Sequence, residues 1–299
     1  SAWRALVRTD RGVGVSWFLD PFDPEFMQRA LLAGMLAVVA SSVVGTWVVL
    51  RGLSFLGDAL AHGVIPGMAL AVLWGFNVTV GALITAALMV GGITLVNRRA
   101  RLGEDTGVGL LFVGMLALGV IIISKSRSFA TDVQSLLFGD VLGVTWGDLR
   151  VQAVAALAVV IVSVLGYRAF LALSFNEAKA GSLGLRPGLT HVALLGLIAV
   201  AIVSSFQAVG TLLVFGLLVG PPATAALLVR RVWLCMVVGV ALGWVAVALG
   251  LVLSYQHGTA AGATMAGVSV AMFFVVLAGQ ELRAAIRRTS PPAPAHHHH

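Results

Sequence analysis

Long apolar runs follow one another along almost the whole chain of 299 residues, with short polar stretches between them. Each run is close to the roughly 20 residues that a helix needs to cross a bilayer, and the runs lack the ten-residue alternation of membrane barrel strands. The pattern predicts an all-α polytopic membrane protein with about eight to nine spans. The runs cover approximately residues 28–50, 53–76, 78–97, 106–124, 148–172, 188–206, 209–229, 232–254 and 262–280.

The positions of these runs divide the chain into three regions. We expect an N-terminal leader at residues 1–27, one transmembrane domain at 28–288, and a disordered tail at 289–299 whose four histidines are typical of a purification tag. The stretch "SKSRSFATDVQSLLFGDVLGVTWGD", between the fourth and fifth runs, is too polar to cross a membrane simply. It predicts a short interfacial helix or a re-entrant segment.

Composition agrees with a membrane protein and gives an orientation. Hydrophobic residues make up 59% of the chain and charged residues 10%, against roughly 25% charged in soluble domains. The 19 basic residues lie mostly at the ends of apolar runs, so the net charge of +7 indicates membrane topology rather than nucleic-acid binding. Most of them follow the odd-numbered runs, which predicts those loops in the cytoplasm, with the N-terminus outside and the C-terminus inside.

Sequence motifs for covalent chemistry are missing. Neither Lys125 nor Lys179 follows a glycine, so the chain has no P-loop for ATP. It also lacks the H-E-x-x-H metalloprotease motif and a Gly-rich dinucleotide loop. The single Cys235 allows no intrachain disulfide. We therefore expect a protein that is not an enzyme, and whose energy for any pumping comes from another subunit.

An acidic and an imidazole side chain interrupt the second apolar run, in the stretch "GDALAH". Asp58 and His62 are four residues apart, which places them on one face of a helix. An ionisable group inside a span is costly and usually faces a water-filled path or a partner. Carboxylate oxygen and neutral imidazole suit divalent ions such as Mn²⁺ and Zn²⁺. The alternative is an Asp–His hydrogen bond that only holds helices together.

Two further stretches are candidates for function. The cytoplasmic loop "SFNEAKAGSLGLRPG" has a short helical pattern with a Gly-rich end, which suits docking into a groove of another protein; an ordinary surface loop is the alternative. Its candidate docking residues are Glu177, Ala178, Gly181, Leu183 and Gly184. The pair Pro221 and Pro222 removes two backbone donors and predicts a break or a kink in the seventh span. Broken helices in transporters often line the substrate path.

Four stretches together resemble the permease subunits of manganese/zinc/iron-type ABC importers, which are related to the vitamin and siderophore ABC permeases. They occur in the family's order within residues 28–280. They read "LRGLSFLGDALAHGVIPGMALA" at 50–71, "GEDTGVGLLF" at 103–112, "LLFGDVLGVTWGDL" at 136–149 and "GTLLVFGLLVGPPATA" at 210–225. The adjacent prolines at 221 and 222 depart from the single proline usual in the family.

This resemblance implies a type II ABC importer permease in a bacterial plasma or inner membrane. It implies that two copies form the pore, that a cytoplasmic ABC ATPase docks at the loop around Glu177, and that an extracytoplasmic metal-binding protein delivers the ion. Asp58 and His62 would then contact the transported metal, Mn or Zn, with no permanently bound cofactor. The alternatives are a secondary metal/proton-coupled transporter and an ABC permease for a metal chelate or vitamin.

Overall fold

The computed structural model describes residues 20–99, 104–125, 143–175 and 187–289. Regular structure in these ranges is entirely helical. A short 3-10 helix at Asp20–Phe22 precedes ten α-helices. They are α1 (Glu25–Leu50), α2 (Ser54–Gly63), α3 (Ile65–Trp74), α4 (Val78–Arg99), α5 (Glu104–Ile123), α6 (Trp146–Leu165), α7 (Tyr167–Phe175), α8 (Pro187–Leu228), α9 (Val232–His257) and α10 (Ala261–Thr289).

Eight helices in the described ranges are long and apolar enough to cross a membrane. The second is formed by α2 and α3 together, and the sixth by the first half of α8. The predicted seventh run at 209–229 appears as a shorter apolar helix, Val214–Leu228. The prediction of an all-α multi-pass membrane protein with about eight to nine spans is confirmed. The predicted interfacial segment falls largely outside the described residues.

The first span lies at the centre of the protein. Of its most apolar 18-residue window, 72% is buried, against 17% for the last span. It packs most extensively on α8, and also on α9 and α6. Small residues bring these helices close: a β-carbon added to Gly34 would lie 2.6 Å from Val247 Cγ1, and one added to Gly243 would lie 2.5 Å from Val38 Cγ1. Small residues drive close helix packing in lipid.

The break in α8 lies at a glycine rather than at the two prolines. Gly210 has φ 74° and ψ 162°, whereas Pro221 and Pro222 lie within helical backbone. The helix therefore does not break at the proline pair, and a kink there stays a prediction. Pro222 packs against two glycines of neighbouring helices. A β-carbon added to Gly45 would lie 3.0 Å from an atom of Pro222, and one added to Gly239 would lie 3.5 Å from another. Neighbouring helices that pack in this way allow proline inside membrane helices.

Candidate metal site

The candidate site begins with an interrupted helix. Pro66 has no N–H to donate to the carbonyl of His62, four residues earlier, so the regular helix cannot continue through this point. Helix α2 ends at Gly63 and α3 begins at Ile65, with Val64 as the joint between them. Asp58 and His62 therefore occupy the last two turns of α2. His62 lies near the middle of the span Ser54–Trp74, and Asp58 lies one turn nearer to its N-terminal end.

The two ionisable side chains lie side by side on α2. His62 Nε2 is 3.5 Å from Asp58 Oδ1, and their side chains are 19% and 32% exposed. This distance is longer than the usual 2.9 Å of a well-formed hydrogen bond. Both residues belong to one helix, so their contact does not itself join two helices. A carboxylate oxygen and an imidazole nitrogen thus face the same open side of the protomer.

Two phenylalanines fix the surroundings of the imidazole. The His62 ring meets the Phe112 ring of α5 edge to face, with centroids 5.9 Å apart. Phe112 in turn meets Phe55 of α2 at 6.1 Å. His62 Nδ1 is buried and finds no hydrogen-bond partner among the described residues. The aromatic contact therefore orients the ring, and Nε2 is the nitrogen that faces Asp58.

One protomer supplies only part of a metal site. Within the described ranges, no group of three or more His, Cys, Asp or Glu side chains could hold a metal ion. Two ligands are fewer than the four of a tetrahedral site or the six or more of a hard divalent cation. A partly exposed carboxylate inside a span is also costly against lipid. The open side of the pair therefore needs a polar covering.

The remaining predicted residues lie elsewhere. Pro221 and Pro222 contact glycines of α1 and α9, so a role for them in the path stays a prediction. The second half of α8 does reach α2: a β-carbon on Gly57, next to Asp58, would lie 2.7 Å from Leu218 Cδ2. The predicted docking residues at 177–184 fall outside the described residues.

Sequence reasoning did not single out two residues near the pair. Phe112 closes the quoted stretch at 103–112, but an aromatic residue in an apolar run carries no signal of its own. Thr85 is a buried polar residue whose hydroxyl reaches the joint at Val64. A hydroxyl inside an apolar run can indicate a polar contact between helices, although most such hydroxyls donate to a carbonyl of their own helix.

Comparisons with known proteins agree on one family. The model described as "ABC 3 transport family" matches residues 23–280. The "Manganese transport system membrane protein MntC" of Listeria monocytogenes is 36% identical over 250 residues, covering 84% of this chain and 89% of that relative. The "Probable iron transport system membrane protein" of Haemophilus influenzae is 33% identical over 267 residues, covering 89% and 98%.

A solved structure and the names of these relatives complete the comparison. "PsaBC from Streptococcus pneumoniae in complex with Fab" has a TM-score of 0.79 at 29% identity, and the match covers 88% of this chain and 95% of that one. Because the relatives are named as membrane components of transport systems, the prediction of a transport subunit rather than an enzyme is confirmed. This multi-pass membrane protein belongs to the ABC 3 transport family.

Proposed function

We propose that this chain is the membrane-spanning permease subunit of an ABC importer for a divalent transition metal, with Mn²⁺ as the first candidate cargo. The observation that carries the proposal is the Asp58–His62 pair, which is partly exposed and lies in the first half of an interrupted span. Oxygen and imidazole ligands suit Mn²⁺, Fe²⁺ and Zn²⁺. Relatives named for manganese and iron transport favour the first two.

A second copy of the chain would complete the site. If two protomers meet around a twofold axis at the open face, each α2 presents one carboxylate and one imidazole to the same point. The two pairs together supply enough ligands for a divalent ion. The same contact removes Asp58 from lipid, which lowers the cost of a carboxylate at this depth. A shared site with few ligands binds its ion weakly, which suits a permease because it must release the ion.

Other subunits would supply energy and cargo. The chain has no P-loop, so we assign ATP hydrolysis to a separate cytoplasmic ATPase. Its docking site is proposed in the loop after α7, at Glu177, Ala178, Gly181, Leu183 and Gly184. An extracytoplasmic metal-binding protein would deliver the ion at the opposite side. The transported metal is cargo, and no resident cofactor is proposed.

The second half of α8 is our candidate for another wall of the path. Leu218 lies against Gly57, the residue before Asp58, and the prolines at 221 and 222 follow one turn later. Proline frees the carbonyls four residues earlier from helical hydrogen bonding. The carbonyl freed by Pro222 is that of Leu218, which faces Gly45 of α1, so the proposed role rests on the contact of the Leu218 side chain with α2.

The pair can be tested by transport in liposomes that hold the permease, its cognate ATPase and the metal-binding protein. We expect Asp58→Ala and His62→Ala to lower Mn²⁺ uptake per folded molecule by at least about tenfold, because each removes a proposed ligand. His62→Gln, which keeps polarity, should fall between. His257→Ala is the matched control, since that imidazole is exposed at the end of α9 and contacts the Leu253 carbonyl.

Each rival function predicts a different result in the same liposomes. Concentrative uptake without the ATPase, driven by an ion gradient, would favour the secondary transporter. Uptake of a chelate that is indifferent to loss of His62 would favour the chelate or vitamin permease. Wild-type Mn²⁺ uptake by both alanine variants would contradict the metal role. Uptake that falls only in proportion to recovered protein would show that the pair is structural.

A further inference from the structure

The joint at Val64 lies close to the backbone of His62. His62 lies two residues before the joint, and Pro66 leaves its carbonyl without the usual donor from residue 66. The backbone around Val64 is held instead by its own carbonyl, which accepts from the Met68 N–H at 3.2 Å. A small rotation at this joint would therefore move the C-terminal end of α2 and the backbone that carries the imidazole.

A side chain of another helix reaches this joint. Thr85 of α4 is buried, and its hydroxyl oxygen lies 3.2 Å from the Val64 carbonyl oxygen. The same hydroxyl lies 3.0 Å from the Gly81 carbonyl of its own helix. The Ala82 carbonyl of the same helix lies 3.2 Å away as well. The hydroxyl has one proton to donate, so the bond to Val64 competes with both contacts inside α4.

A close backbone contact between α3 and α4 lies beside Thr85. A β-carbon on Gly67 of α3 would overlap with the Gly81 carbonyl of α4, and one on Gly81 would overlap with the Gly67 carbonyl. The two backbones thus touch one turn from Thr85, and α3 is held against α4. The hydroxyl of Thr85 extends this contact across the joint to Val64.

The two halves of the interrupted span pack on different neighbours. Helix α3 packs mainly on α4 and α5, whereas α2 packs mainly on α8 and α5. Both halves also contact α5, and α8 packs directly on α4 as well, so Val64 is one of several places where these helices meet. Thr85 is positioned to transmit a relative movement of these helices, or to resist it.

We propose that Thr85 is a positioning residue whose hydroxyl ties the Val64 joint to α4 and thereby holds the backbone of His62, while Phe112 orients the ring. The metal part of this inference rests on the proposed function. The part that concerns the joint does not, because it follows from the contacts among Thr85, Val64 and Gly81 alone.

The test uses the full chain in lipid nanodiscs, with Thr85→Val to remove the hydroxyl and Thr85→Ser to keep it. Thr94→Val is the matched control, because the Thr94 hydroxyl bonds only to Val90 within α4 in the described contacts. The first measurement is hydrogen–deuterium exchange of residues 60–70 without metal. The second is Mn²⁺ titration of the same samples. Thr85→Cys, a weak donor of similar size, replaces Thr85→Val if that variant is not recovered folded.

We expect Thr85→Val to speed exchange at the Met68 amide by about tenfold, because the joint opens locally, and to weaken Mn²⁺ binding by about tenfold, as loss of a supporting contact does. Thr85→Ser and Thr94→Val should match the wild type in both. Unchanged exchange in Thr85→Val overturns the proposal, and faster exchange with unchanged Mn²⁺ affinity overturns the positioning of His62. A wild type that binds no Mn²⁺ contradicts the proposed function. The exchange measurement still tests whether Thr85 holds the joint at Val64.

Discussion

Single glycines set how closely the helices of this protein approach. Gly45 of α1 lies against the Leu218 carbonyl of α8, and a β-carbon there would overlap with that oxygen. Because Pro222 has no N–H, the Leu218 carbonyl lacks its usual donor four residues later. The Gly45 backbone fills this position, where a Cα–H contact with the oxygen is favourable.

Replacement of this glycine by alanine tests the contact. We expect Gly45→Ala to lower the free energy of unfolding by about 3 kcal/mol, because a backbone carbonyl cannot move aside as a flexible side chain can. Thermal unfolding in detergent gives the measurement. Gly91→Ala is the control, since that glycine of α4 is exposed and has open space around its β-carbon position. Equal melting temperatures for both variants would contradict the close contact.

At the scale of one element, α8 contains a position whose backbone conformation suits only glycine. With φ 74° and ψ 162°, Gly210 occupies a backbone region that costs other residues about 1–3 kcal/mol. We expect Gly210→Ala to lower the melting temperature, whereas Gly196→Ala in the helical first half of α8 should not, because nothing lies near its β-carbon position. A Gly210→Ala protein as stable as the wild type would show that the break is not needed.

The same element shows which features a sequence can predict. The spans were predictable because the length of an apolar run is a local property. The shared face of Asp58 and His62 was predictable because it depends only on helical spacing. The runs at 188–206 and 209–229 predicted a boundary near this point, but no local pattern marked Gly210 as the residue with the positive φ. The Phe112 contact with His62 was also not predictable, since it depends on packing between helices that are distant in sequence.

At the scale of the whole molecule, the proposed assembly requires communication between the membrane domain and an ATPase. We expect Gly184→Trp, in the proposed docking loop, to leave the permease folded and inserted but unable to retain the ATPase, because the indole fills the space that the loop needs in the partner's groove. Co-purification and ATP-driven uptake are the measurements. Ala260→Trp, in an exposed loop that the charge pattern assigns to the opposite side, is the control. Normal ATPase retention by Gly184→Trp would place the docking site elsewhere.

The central position of α1 has a consequence for how the chain is made. Helix α1 ends at Leu50, and α8, on which it packs more extensively than on any other helix, begins only at Pro187. A ribosome adds about 5–20 residues each second, so α1 waits on the order of 10 s for its main partner. During this interval its Ala- and Gly-rich surface faces lipid or the insertion machinery. A nascent chain interrupted before α8 therefore has no completed core, and α1 reaches its final surroundings long after its own synthesis.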